Sequence, residues 1–253
     1  MKLVRQLDRL IVPLALLGAW WLASRAGMLS PHILPAPGIV WDAFLDLVAD
    51  GSLLVHLGAS LRRVALGFAA GTAFGLATAA LAGAWRPFRA YVQPVLDATT
   101  QVNAMAWLPL VSAFLGIDEG MKIVVIGWSA SVPISLGTLR GIDRVPAPYR
   151  ELARVLSFTR TDALRLVVLP SVLPAIFTGL REGLANAWQA LVIVELYASF
   201  EGLGYLMAWG RQLFQLELVL VGMILIALVG FALNGAMRLA ERRLFPALAE
   251  AAG

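Results

Sequence analysis

Cysteine is absent from the 253 residues. Disulfides, thiolate metal sites and a cysteine nucleophile are therefore excluded, and cysteine usage leaves no mark of the redox compartment. Imidazole is scarce, because His32 and His56 are the only histidines and both precede the second long apolar run. A paired-histidine metal site and an intramembrane serine–histidine pair thus lack candidates. Neither Lys2 nor Lys122 follows a glycine run, and no GxxxxGK(S/T) loop occurs. ATP binding in the P-loop manner is ruled out, and neither an enzyme activity nor a cofactor is expected.

The scarcest commodity is charge. Only 14% of residues are charged against 60% hydrophobic, and the mean hydropathy is +0.80. Soluble domains carry roughly 25% charged residues, so this chain has too little polar surface to cover itself in water. It reads as an integral membrane protein. The net charge of +4 would suit nucleic acid, but the arginines sit between apolar segments, where positive charge orients a membrane protein. No nucleic-acid partner is expected; the lipid bilayer is.

The apolar runs predict an all-α, polytopic fold: a single domain over 1–253 with about six transmembrane helices, near 10–26, 64–84, 95–116, 123–139, 172–198 and 218–237. The basic start and the apolar run Leu10–Ala23 also outline a signal peptide, but a first transmembrane helix is the reading adopted. Three prolines between Ser30 and Gly38 prevent a helix there, and an amphipathic helix outside or along the membrane follows over 39–56. The small residues Gly67, Gly71, Gly75 and Ala79 permit close helix approach, either in a seam between two copies or inside one chain. Six spans place both termini on one side. With that side cytoplasmic, most basic residues fall in cytoplasmic segments, as the positive-inside rule requires.

Polar groups inside apolar spans are costly unless they face protein or a water-filled path. Thr99, Thr100, Gln101 and Asn103 crowd the start of the third run, and Pro109 frees a backbone carbonyl further on. On the fifth run Glu182, Asn186 and Gln189 share a face at i, i+4 and i+7, with Glu195 on a neighbouring face. Thr100, Gln101, Asn103, Pro109, Asn186, Gln189 and Glu195 are the candidates for lining a path; polar packing near the interface is the alternative.

The longest stretch a bilayer would reject is Asp143–Pro170, DRVPAPYRELARVLSFTRTDALRLVVLP. Pro148 suits a first helical turn. Tyr149, Leu152, Ala153 and Leu156 then share an apolar face, while Arg150 and Arg154 hold another. Thr159–Asp162 has the form of a capping box for a second helix ending before Pro170. Two short helices pinned between spans make a rigid knuckle.

This stretch resembles the EAA loop of the membrane-spanning subunits of bacterial ABC importers, E-A-A-x(3)-G-x(9)-I-x-L-P. Glu151, Ala153, Leu169 and Pro170 match at the correct spacing, with Val167 in place of Ile. Leu152 replaces the second Ala and Ser157 replaces the Gly, where a positive φ would cost Ser on the order of 1 kcal/mol. Ala106-Trp107-Leu108-Pro109-Leu110, Gly137-Thr138-Leu139-Arg140-Gly141-Ile142, and Glu195 followed by Gly202-Leu203-Gly204-Tyr205 resemble the nitrate/sulfonate/taurine-type permeases. The resemblance runs from about Pro35 to Arg243.

The resemblance implies a permease subunit in the bacterial inner membrane, working as two copies. It also implies a cytoplasmic ATPase subunit and a periplasmic or lipid-anchored substrate-binding protein. The ATPase would engage Tyr149, Arg150, Glu151, Leu152, Ala153, Arg154, Leu156, Ser157, Leu169 and Pro170. The implied solute is a small organic or inorganic anion, and similar permeases carry pyrimidines or vitamin precursors. From another class, a secondary transporter or channel would show internal repeats and midplane charge pairs, and neither is evident.

Overall fold

Helices build the architecture throughout the described part of the computed structural model, which covers residues 15, 17–26, 34–146, 148, 151 and 158–244. The helices are α1 (17–25), α2 (Pro37–Ala49), α3 (Ser52–Ala84), α4 (Arg86–Thr99), α5 (Ala104–Leu115), α6 (Glu119–Asp143), α7 (Leu169–Ala198), α8 (Leu203–Gln212) and α9 (Leu216–Leu244). Among the described residues, four segments are long and apolar enough to cross a membrane: α3, α6, α7 with the turns leading into it, and most of α9.

The core span is α6. Two thirds of its apolar window is buried (67%), against 11% for α9. Glycine makes this possible by letting backbones touch. A Cβ added at Gly71 of α3 would lie 2.3 Å from the carbonyl oxygen of Gly127 on α6. Across the other flank of α6, a Cβ at Gly137 would meet the Cα of Gly179 on α7 at 3.0 Å. Of the two readings of the small-residue stripe, packing within one chain is therefore the one the structure adopts. Val64, Ile126, Ile134, Trp188, Leu191 and Leu203 fill the space between these helices.

The structure differs from the sequence-based expectation in three places. The second apolar run begins well before residue 64: α2 stops at Ala49, Gly51 turns the chain at φ +76, and α3 starts at Ser52. The expected single span over 95–116 is two helices. Thr99 and Thr100 turn their hydroxyls onto the carbonyls of Val95 and Asp97 (2.8 and 2.6 Å), and the Asn103 side chain caps α5 by accepting from the Met105 N–H at 2.9 Å. Such local bonds compete with a continuous helical ladder.

The third difference concerns the knuckle. Its second helix does not end before Pro170; a turn at Arg160–Ala163 and a π turn at Leu164–Val168 run straight into α7. The wider π turn directly ahead of Pro170 is where the helical run accommodates the proline ring. Half of the capping box is present. The Asp162 N–H donates to Thr159 Oγ1 at 3.2 Å, but the Thr159 hydroxyl itself occupies the Asp162 carboxylate. Glu151 is helical and exposed, and Leu169 and Pro170 are exposed at the head of α7. Tyr149, Arg150, Leu152, Ala153, Arg154, Leu156 and Ser157 lie outside the described residues.

Candidate functional site

The break between α4 and α5 opens onto a cavity of about 370 Å³. One wall is α7, from Glu182 through Asn186 and Gln189 to Ile193, about 16 Å of helix rise. A second wall is α6, from Trp128 to Arg140, and the third is the break itself, from Thr99 to Ala104. The polar stripe read from the i, i+4, i+7 spacing on α7 thus lines a real space. The lining grades along its length. Along the α6 and α7 walls, Arg140 and Glu182 pair at one end and Trp128 and Ile193 lie towards the other, with Asn186 and Gln189 between.

Among the candidates, Thr100, Asn103, Asn186 and Gln189 are brought together here. Gln101 and Pro109 are not in the lining. Gln101 is exposed on the break, where its amide donates to Thr100 Oγ1 at 3.1 Å, and Pro109 lies inside α5.

Glu195 requires a correction. It lies six residues beyond Gln189, about 120° further round the helix, and it is 1% exposed. Its carboxylate accepts from Ser60 Oγ on both oxygens (2.9 and 2.8 Å), from Arg63 Nη1 (2.9 Å) and from the Gly204 N–H (3.0 Å). Arg63, 3% exposed, also grips Glu119 with a fork of two bonds at 2.9 and 2.8 Å. It reaches the Glu201 carbonyl at 2.6 Å as well, and Lys122 Nζ stands 2.6 Å from Glu119.

This cluster also caps α8. The exposed donors of a helix N-terminus need partners. Here the Gly202 N–H goes to His56 Nδ1 (3.1 Å), the Leu203 N–H to Ser60 Oγ (2.9 Å) and the Gly204 N–H to Glu195. A carboxylate at that end is further favoured by the helix dipole. Gly202 sits at φ +119, and a Cβ there would lie 2.3 Å from the Glu195 carboxyl group. One charge network, buried at Arg63 and Glu195 and half-exposed at Glu119, therefore clamps α3, α6, α7 and α8 together at one end of the bundle.

Ser60 and Arg63 are not among the sequence candidates, because an apolar run that starts at Val64 leaves both outside it. The signal in the sequence is Glu195 itself: a carboxylate in an apolar run needs a cation, and Arg62-Arg63 is a basic pair at the edge of the apolar run from Val64. At the far end of α6, Arg89 of α4 forms a two-bond fork with Asp143 (2.7 and 2.6 Å). The Asp143 carboxylate holds the Arg89 guanidinium above its usual pKa.

Comparison with known proteins adds the family. Residues 71–246 match the family of binding-protein-dependent transport system inner membrane components. The chain belongs to that family. This permease is 36% identical over 235 residues to the putative aliphatic sulfonates transport permease protein SsuC of Bacillus subtilis, covering 93% of this chain and 85% of that one. It is 34% identical to the taurine transport system permease protein TauC of Escherichia coli, covering 96% and 91%. It is 30% identical to the nitrate import permease protein NrtB of Synechocystis, covering 78% and 72%. A crystal structure of an amino acid ABC transporter with histidines shares the fold at a TM-score of 0.62 and 20% identity, over 79% of this chain and 98% of that one. The expectation of an all-helical ABC importer permease, drawn from the Asp143–Pro170 stretch and the order of the spans, is borne out.

Proposed function

We propose that this permease forms the translocation path for a small sulfonate, taurine-like or nitrate-like solute, driven by a separate ATPase. The observation that carries this reading is the cavity where Thr100, Asn103, Asn186 and Gln189 converge beside a helix break. Uncharged hydrogen-bonding groups there give a polar solute a foothold without trapping it. Two copies of the chain, both termini cytoplasmic, enclose the path between them, and a binding protein delivers the solute from outside. The ATPase engages the stretch from Tyr149 to Ser157, which leads through the π turn at Leu164–Val168 into α7. Because α7 carries both Asn186 and Gln189, movement of the knuckle is passed along one helix to the cavity.

Proteoliposomes holding the permease, its ATPase and its binding protein provide the test. ATP-dependent uptake is expected for the wild type. Glu151→Lys, on the exposed surface of the knuckle, should abolish uptake while leaving a folded, membrane-inserted protein. Normal uptake and normal ATPase stimulation in that variant would overturn the coupling role.

A further inference from the structure

The two ends of the knuckle stretch are anchored differently. Its far end runs through the π turn straight into α7. Its near end is Asp143, the last residue of α6, which Arg89 of α4 grips from the side through bonds of 2.7 and 2.6 Å. A third bond, from Arg89 Nε to Gln93 Oε1 at 2.9 Å one turn along α4, holds the guanidinium in plane. Paired parallel bonds of this kind fix direction as well as distance.

The charges stand where neither helix gains from them. Arg89 is near the N-terminus of α4 and Asp143 is at the C-terminus of α6, and each helix end carries the dipole's like pole. The pair is also 28% and 49% exposed, where an ion pair contributes little to stability. What it does set is the position of α4 against the point where the chain leaves for the knuckle.

From there α4 leads to the cavity. Phe88, Val92 and buried Leu96 rest against Val132 and Leu139 of α6. About 15 Å of helix rise beyond Arg89, α4 ends at the Thr99–Ala104 break that forms the third wall. The cavity is thus joined to the knuckle twice, through α7 and through Arg89 and α4.

We propose that the Arg89–Asp143 fork is a positioning pair for transport, a second linkage that carries knuckle movement along α4 to the break. Both residues act through α4 and not on the solute. This rests on the reading of the knuckle as the ATPase contact.

The absence of cysteine allows a site-specific test that needs no solute. Single cysteines replace Gln101, exposed on the break, or Ala185, exposed on α7. Each carries a spin label in the permease assembled with a cysteine-free ATPase in lipid nanodiscs. Spectra are compared without nucleotide and with ATP plus vanadate, and both labels should respond in the otherwise wild-type chain. Arg89→Gln and Asp143→Asn should each lose most of the response at position 101, keep that at 185, and melt close to the wild type. Exchanging the charges, Arg89→Asp with Asp143→Arg, puts each at the helix end that the dipole favours and should restore the lost response. The linkage is overturned if the response at 101 survives Arg89→Gln, or if it disappears there together with that at 185. A folded, ATPase-bound exchange variant that stays silent at 101 overturns it too. Glu151→Lys reads the coupling beneath it and should silence both labels. Persistence of both in Glu151→Lys, or silence of both in the wild type, sinks the knuckle reading and the linkage with it. Loss of both in Glu151→Lys with persistence at 101 in Arg89→Gln sinks the linkage alone.

Discussion

Replacing Arg63 with methionine should destabilise this permease more than any single change to its carboxylate partners. Methionine keeps most of the apolar stem and removes the guanidinium. Glu195 is then left 1% exposed with only the Ser60 hydroxyl and the Gly204 N–H as partners. Breaking a buried pair from one side leaves an uncompensated charge and costs about 3–5 kcal/mol. The reverse change is milder. In Glu195→Gln, Arg63 keeps its fork on Glu119 and its bond to the Glu201 carbonyl, so the loss is about 1.5–3 kcal/mol, the contribution of one hydrogen bond to a charged group.

The double variant should then fall short of the sum by about 1–3 kcal/mol, because removing both charges leaves neither stranded. Unfolding in detergent followed by circular dichroism, with denaturant midpoints and slopes for the four proteins, measures all of these. The reasoning is refuted if Arg63→Met costs less than about 1 kcal/mol, or if the two changes add within about 0.5 kcal/mol.

Three further outcomes are expected. Gly202→Ala forces a side chain into a left-handed backbone and against Glu195, and should cost about 2–4 kcal/mol, with amide hydrogen exchange rising across Leu203–Gln212 as α8 comes away. Gly71→Ala must push α3 off α6 at about 1–3 kcal/mol. Gly58→Ala, on the same helix but with nothing within 4 Å of the added carbon, should instead stabilise by about 0.5–1 kcal/mol, and melting curves of the two variants make the comparison. Asn103→Ala removes the cap of α5 and should cost about 1 kcal/mol, and solute uptake should fall by more than the loss of folded protein accounts for, because the same residue lines the cavity.

What could be read from composition and spacing alone was the class and the machine. A chain with 14% charge cannot cover itself in water, and the spacing from Glu151 to Leu169-Pro170 survives any uncertainty about where helices begin. The stripe of Glu182, Asn186 and Gln189 was equally legible, because an i, i+4, i+7 pattern depends only on the local turn of one helix. The break after Thr99 was visible as a crowd of polar residues. Hydropathy still gives one uneven span there, because it sums over a window and does not register a cap at a single residue such as Asn103.

Which way a polar residue points across the bundle is a different kind of fact. Glu195 and Gln189 lie on the same helix and looked like equal candidates, yet one faces Arg63 and the other the cavity. That choice is made by α3 and α8, whose Ser60, Arg63 and Gly204 come from distant parts of the chain and meet only when the helices pack. The small-residue stripe of α3 posed the same question of partner, and the backbone contact between Gly71 and Gly127 answered it. Local periodicity determines which residues share a face. Only packing determines what that face meets, because in a membrane the energetic difference between facing lipid, a cavity or a buried cation lies entirely in the neighbours.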